Sequence, residues 1–341
     1  MSPPKRSLQR KKANGAASED KSRAVGIQRS FSLRLLAWYD AHARDLPWRK
    51  SHDPYRVWLS EIMLQQTRVA AVLEHYRVFL TKFPTVQNLA AARESTVLAL
   101  WSGLGYYRRA RMLHAAAKLV VKDHGGRFPE TSEALRHLPG IGRYTSAAIA
   151  SIAFAEPVAV VDGNVERVLS RLLGSQLNDE ATWTAAEELL DRKRPGDANQ
   201  AMMELGATIC LPREPKCLLC PVSEFCVSRG DLPRTSKPAP QMRREIHFGL
   251  ARRNGEVFLR QRSPTESLMP GMWELPALSG VQDGRAVLSL RHSITVTDYK
   301  VGVLELACPE EHSGTWIAAS RLMSLPLTGL ARKILRKVEM L

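Results

Sequence analysis

The residues with the clearest chemical potential are four cysteines confined to 17 positions: Cys210, Cys217, Cys220 and Cys226, spaced C-x6-C-x2-C-x5-C. The fifth cysteine, Cys308, stands far from them in the chain. Four thiolates can ligate a 4Fe–4S cube or one tetrahedral zinc ion. Zinc loops usually pair two short cysteine units across a longer stretch. Only Cys217–Cys220 forms such a unit here, which favours the cluster. Thiols this few and this tightly grouped point to metal chemistry in a reducing compartment, not to a secreted disulfide scaffold.

Two carboxylates come next. Asp162, in VVDGNVERVLSRLLG (160–174), follows a short apolar run and precedes an amphipathic repeat, the position of a helix N-cap. Capping and catalysis are compatible, because helix N–H groups stabilise the anion that a positively charged transition state needs. Glu61, in LPWRKSHDPYRVWLSEIMLQQTRV (46–69), sits in a helical pattern between Leu59 and Ile62–Met63. A helical glutamate is most often a solvated surface residue. Apolar neighbours would instead raise its proton affinity and suit it to donate a proton near neutral pH.

These groups need elements to position them. LPGIGRYTSAAIASIAF (138–154) reads as a tight Pro-Gly-Ile-Gly turn between two helices. Its backbone N–H groups and the helix dipole make a site for a phosphate, which Gly140 and Gly142 let approach closely. WSGLGYYRRAR (101–111) joins glycines to adjacent tyrosines and to Arg108, Arg109 and Arg111. Leu104 or Tyr106 could wedge between stacked bases there while the arginines meet phosphates. Apolar residues recur at three- and four-residue spacing through 29–229, as in Leu113, Ala116, Leu119 and Val120, predicting about ten helices. Residues 1–28 are polar and basic and read as a disordered arm, and GDLPRTSKPAPQM (230–242) reads as a linker. Beyond it, HFGLARR, a turn at Asn254–Gly255 and EVFLRQR predict a β-hairpin. RHSITVTDYKVGVLEL adds strand-like alternation, and a helix at about 328–338 completes a small α+β domain over 243–341.

The 341 residues carry a formal charge of +15: +6 in residues 1–30, +5 in 31–240 and +4 in 241–341. Charge of this sign suits a polyanionic partner. No apolar run reaches the roughly 18 residues of a bilayer span, and no signal-peptide core opens the chain, so neither membrane nor secretion is expected.

LSEIMLQQT, WSGLGYYRRAR, LPGIGRYTSAAIASIAF, VVDGNVERVLSRLLG and GATICLPREPKCLLCPVSEFC together resemble the MutY-type adenine DNA glycosylases. These belong to the helix-hairpin-helix, iron–sulfur superfamily of endonuclease III, and the resemblance is dense from about 33 to 229. It implies a mainly α fold: an all-helical glycosylase domain over 29–229 with its hairpin at about 133–154 and an iron–sulfur loop at 210–226. A small C-terminal α+β domain like that of the MutT nucleotide hydrolases would follow. It implies a 4Fe–4S cluster on Cys210, Cys217, Cys220 and Cys226, and base-excision removal of adenine opposite 8-oxoguanine or guanine in duplex DNA. Glu61 would protonate adenine at N7, Asp162 would face the oxocarbenium ion, and Tyr144 and Asn164 would support them. Trp48, Arg49, Gln65 and Gln66 would contact the flipped adenine, its partner base or nearby backbone, with Tyr106 stacked near the lesion. Endonuclease III-like lyases carry a lysine where this chain has Tyr144, and Glu166 replaces a basic residue of some relatives. A monofunctional enzyme is therefore expected.

In the C-terminal domain, GEVFLRQR and PGMWELP, with Gly271 and Trp273, resemble the MutT-like strand and loop. The magnesium-binding R-E-x-x-E-E helix is lacking, so pyrophosphatase activity is not expected. Ile294, Thr295 and Val296 hold the place of a recognition loop that commonly reads Phe-Ser-His, with Thr295 supplying the hydroxyl. A monomer is expected, cytoplasmic with the nucleoid in a bacterial cell or nuclear in a eukaryotic one. Alternative readings are a thymine or uracil mismatch glycosylase of the same superfamily, and a non-catalytic iron–sulfur binder of damaged DNA.

Overall fold

The computed structural model describes residues 28–230, 242–278, 285–294, 297–306 and 314–341. The predicted arm before Gln28, most of the linker, Thr295, Val296 and Cys308 lie outside them. The chain divides into two compact units, each built from two stretches: Met1–Glu61 with Phe128–Arg234, and Ile62–Arg127 with Thr235–Leu341.

The first unit is helical. It begins with α1 (28–42), a 3-10 turn at Pro47–Arg49 and the opening of α2 (Pro54–Leu64). In the second unit follow α3 (Val69–Lys82), α4 (Val86–Ala90), α5 (Glu94–Trp101) and α6 (Arg108–His124). The chain then returns to the first unit with α7 (Ser132–Leu135), α8 (Arg143–Phe154), α9 (Gly163–Leu173), α10 (Asp179–Leu189) and α11 (Pro195–Thr208). The termini follow local chemistry: Thr85, Thr131, Asp162 and Asn178 each accept backbone N–H groups as N-caps. Phe31, Leu35 and Tyr39 of α1 pack with Val165, Leu169 and Leu172 of α9 and with Met202 and Leu205 of α11.

Helix α11 touches both α8 and α9, and two glycines set how closely. A Cβ at Gly196 would lie 2.7 Å from the Ser151 carbonyl oxygen, and one at Gly206 would lie 2.6 Å from the Asn164 Cβ. Both contacts are backbone-close, so only a residue without a side chain fits.

The second unit adds a β region to its helices. One sheet runs β5 (Ala277–Leu278), β1 (Met242–Leu250), β7 (Thr297–Glu305), β6 (Ala286–Ile294), with β1 parallel to β7 over nine register pairs. In the other, β3 (Glu256–Gln261) pairs with β2 (Arg252–Arg253), β4 (Trp273–Glu274) and β8 (Thr315–Ala318). Val257, Leu259, Val301, Val303 and Ile317 share a core with Ile334 and Leu335 of α12 (Gly329–Lys337). The Asn254–Gly255 turn is present, both residues at positive φ (44° and 77°), as a two-residue hairpin turn demands. Its arms are shorter than expected. Only Arg252 and Arg253 pair across it, while the preceding HFGL stretch leaves at buried Ala251 to join the other sheet. Among the described residues no helix is long and apolar enough to cross a membrane.

Candidate active site

The Pro-Gly-Ile-Gly turn joins α7 to α8. Leu138 and Ile141 are buried beneath it, while Gly140 and Gly142 are exposed. Gly140 adopts φ +75°, a left-handed conformation that glycine takes without strain. Gly142 is the N-cap of α8, and a Cβ there would meet nothing within 4 Å. Its space opens to solvent, where the first N–H groups of α8, which have no partner within the helix, face outward.

The same turn sets Tyr144, second residue of α8, and its O–H donates to Glu61 Oε2 at 2.7 Å. Met203 Sδ lies 3.5 Å from the same hydroxyl. Glu61 is only 7 % exposed. Burial raises its carboxyl to about 7, opposed by the Tyr144 hydrogen bond, reinforced by the charge of Asp162 and eased by Arg49. The Tyr144 phenol is pushed well above its ordinary value, by burial first and then by the charges of Glu61 and Asp162, and so stays a neutral donor.

Asp162 caps α9. One of its oxygens, Oδ1, accepts the N–H groups of Asn164 and Val165 at 2.9 and 2.8 Å, and Oδ2 accepts Asn164 Nδ2 at 2.8 Å. The strand-like approach to it is pinned from two sides. Buried Asn199 of α11 accepts Val160 N–H at 2.9 Å and donates to Val158 O and Ser151 Oγ, while Glu187 of α10 accepts Ala159 N–H at 2.8 Å. Asn164 Oδ1 is held in turn by Arg167 Nη2 at 2.9 Å.

Beside these groups is an ion cluster that sequence reasoning did not find. Glu204 of α11 has no solvent exposure. Arg44 donates to both of its oxygens at 2.7 Å, and Arg49 Nη2 donates to Oε2 at 2.8 Å. Burial alone would raise its carboxyl, but these hydrogen bonds and charges bring it to about 2. Arg49, expected at the flipped base, is thus committed to Glu204 and lies over the Tyr39 ring at 5.4 Å. Trp48 is buried next to it in the chain. The available signal was a glutamate set among the apolar residues Met202, Met203 and Leu205.

The second unit holds Gln65, Gln66, Leu104 and Tyr106. Gln66 stands at φ +54° just past α2. In the 103–107 turn the two wedge candidates separate: Leu104 is 5 % exposed and Tyr106 47 %. Arg109 does not reach outward as expected. Its guanidinium donates to the carbonyls of Ile62, Met63, Gln65, Leu104 and Gly105 and to Thr67 Oγ1, and lies 5.4 Å from the Tyr106 ring centroid. Arg111 is likewise paired, with Glu94 and the Pro270 carbonyl. Gly271, at φ +69°, returns its N–H to Arg262 O at 2.9 Å, and Thr295 lies outside the described residues.

Cys210, Cys217, Cys220 and Cys226 are half-buried and none is in a disulfide. Among the described residues no three His, Cys, Asp or Glu side chains form a ligand set for a single metal ion. Burial raises the Cys220 thiol, and the charges of Cys210, Cys226 and Cys217 add to the rise. Buried Arg171 of α9 braces their loop, donating to Cys210 Sγ at 3.2 Å and to Leu211 O at 2.7 Å, while Cys226 Sγ donates to Arg171 O at 3.3 Å. Four thiols carried on one loop are by their chemistry a donor set for an iron–sulfur cluster or for a zinc ion.

Residues 59–195 match the family described as HhH-GPD superfamily base excision DNA repair protein. The human adenine DNA glycosylase is 48 % identical over 222 residues, covering 61 % of this chain and 41 % of that protein. The adenine DNA glycosylase of Arabidopsis thaliana is 41 % identical over 296 residues, covering 72 % and 47 %. The chain therefore spans less than half the length of these two relatives. Among solved structures, a thermostable thymine-DNA glycosylase superposes with a TM-score of 0.57 at 33 % identity, covering 60 % of this chain and 97 % of that one. A matching family profile, and a relative of one-third identity covered almost end to end, lead to one assignment. The chain belongs to the HhH-GPD superfamily of base excision DNA repair proteins.

Proposed function

We propose that the protein is a monofunctional glycosylase that hydrolyses the N-glycosidic bond of adenine mispaired with 8-oxoguanine or guanine in duplex DNA. The observation that carries the chemistry is the buried Tyr144–Glu61 hydrogen bond, beside an aspartate capping α9. The base must first leave the stack and enter a pocket. Glu61, half protonated near neutral pH, gives its proton to N7 of the departing adenine. The C1′–N9 bond then breaks with both electrons going to the base, and the sugar becomes an oxocarbenium ion. Asp162, held by three N–H donors, stabilises that cation. Water adds to C1′ and its spare proton returns to Glu61, leaving an abasic site. Tyr144 is no amine, so no Schiff base forms and the strand stays intact.

Around this centre, Gly140 and Gly142 would present backbone N–H groups to a phosphate. Exposed Tyr106 would enter the stack near the lesion, and Trp48, Gln65 and Gln66 would contact the flipped adenine, its partner base or nearby backbone. We read the cysteines as holding a 4Fe–4S cluster whose contribution is to order the 210–226 loop, setting Arg213 and Lys216 toward phosphates; iron analysis should return about four irons per chain. Stoichiometric zinc would refute that. The C-terminal β region is read as MutT-like, with Gly271 and Thr295 serving the base opposite adenine. A monomer working on cellular DNA completes the reading.

Adenine as substrate is supported by the names of the human and plant relatives. The solved thymine-DNA glycosylase supports the second reading, a thymine mismatch enzyme. A panel of duplexes holding A opposite 8-oxoguanine, A opposite G, T opposite G and thymine glycol separates them. Release of adenine, abolished by Glu61→Gln and by Asp162→Asn with duplex binding retained, is the expected result. Release of only thymine species would exclude adenine.

A further inference from the structure

The turn bearing Tyr106 is held from within by the C-terminal part of its own unit. Ser102 Oγ donates to the Leu327 carbonyl at 2.7 Å, and the Tyr107 hydroxyl donates to the same oxygen at 3.0 Å. Arg332 of α12 donates its Nε to Ser102 Oγ at 2.9 Å. All three side chains are buried, and burial depresses the Arg332 guanidinium. Both lone pairs of one carbonyl are therefore used by the two residues that flank the 103–106 turn. A few residues on, Arg111 reaches the Pro270 carbonyl at 2.6 Å, in the loop before Gly271. The 3-10 segment Ala319–Ser324 also rests against α5, which leads into the turn. Tyr106 itself stands at φ +47° between Gly105 at +70° and Tyr107, a backbone pose that a tyrosine does not keep unaided.

We propose that the buried junction of Ser102, Tyr107, Leu327 and Arg332 sets the pose of the Tyr106 turn, making Arg332 a positioning residue for insertion of Tyr106 into duplex DNA. This rests on the reading of Tyr106 as the wedge. The junction gives the C-terminal part a role in base extrusion that needs no contact between Arg332 and DNA. Burying a guanidinium is costly, and a hydrophobic side chain could have filled this volume. A buried arginine aimed at a serine hydroxyl instead fixes one geometry, because both partners must align for the hydrogen bond to form.

The test uses the full-length protein carrying Glu61→Gln, so that binding is seen without excision, and a duplex with 2-aminopurine beside the A opposite 8-oxoguanine mispair. Wedge insertion unstacks the reporter and raises its fluorescence. Arg332→Met should cut the rise on the order of tenfold, Arg332→Lys should restore part of it, and duplex affinity should stay within about threefold. Single-turnover excision in the Glu61 protein should fall in step with the signal, all measured well below the melting temperature. A signal lost with Tyr106→Ser but unchanged with Arg332→Met overturns the coupling and leaves the wedge reading standing. A signal unchanged with Tyr106→Ser overturns both. If Arg332→Met does not fold, Tyr107→Phe removes one donor to Leu327 O, and an unchanged signal there is equally fatal.

Discussion

Glu61 keeps its proton to about pH 7 because burial disfavours its charge, whereas in the unfolded chain it would release it near 4.5. Below 4.5 both states are protonated and folding carries no penalty. Between 4.5 and 7 the unfolded chain gains by ionising while the folded one does not. Stability is therefore lost as pH rises through that window, by roughly 3 kcal/mol in all. Glu61→Gln keeps an acceptor for the Tyr144 hydroxyl and never ionises. Urea melts should find this variant level with the parent at pH 4 and more stable at pH 8. If Glu61 is the proton donor, parent excision falls about tenfold per pH unit above 7. A flat rate from pH 7 to 9 would remove it from that role.

The glycines of α11 act at the scale of elements. Gly206→Ala drives a methyl group to 2.6 Å from the Asn164 Cβ, so α9 must shift with Asp162 at its cap. Expected are a loss of about 1–3 kcal/mol of stability and at least a tenfold fall in excision, with duplex affinity preserved. Thermal melting and single-turnover kinetics check both, and unimpaired excision would show that α9 tolerates the shift. This scale also shows what could be read in advance. The helices, the hairpin turn and the Asp162 cap are local patterns, each settled by residues within a few positions of one another. Glu204 was not legible, since its partners Arg44 and Arg49 lie 160 and 155 residues away and nothing near Glu204 names them. Nor was the inward turn of Arg109, because an arginine after two tyrosines looks the same whether it meets phosphates or carbonyls. The departure of β1 to another sheet followed from its pairing with β7, some fifty residues on, rather than from its own alternation.

Across the whole molecule the excess of +15 is shared by all three regions of the chain rather than confined to one. Binding to duplex DNA should therefore fall steeply with salt, by at least about 100-fold between 50 and 200 mM, as phosphate contacts give up their counterion-release gain. Filter binding or fluorescence anisotropy across a salt series measures the slope, and a near-zero slope would contradict a phosphate-tracking surface.

The same molecule-wide view gives the discontinuous units a consequence in time. The unit that holds Glu61 contains Met1–Glu61 and Phe128–Arg234, with the residues between assigned to the other unit. Trp58 and Phe128 meet ring to ring at 5.3 Å, so the chain leaves and re-enters this unit almost at one point. On a ribosome, α1 and the start of α2 emerge first and must wait, unpaired, while 66 residues belonging elsewhere go by. Only when α11 clears the exit tunnel can Glu204 receive Arg44 and Arg49 and the carboxyl of Glu61 lose its water. Until then the nascent chain has its acid but not the environment that makes it one.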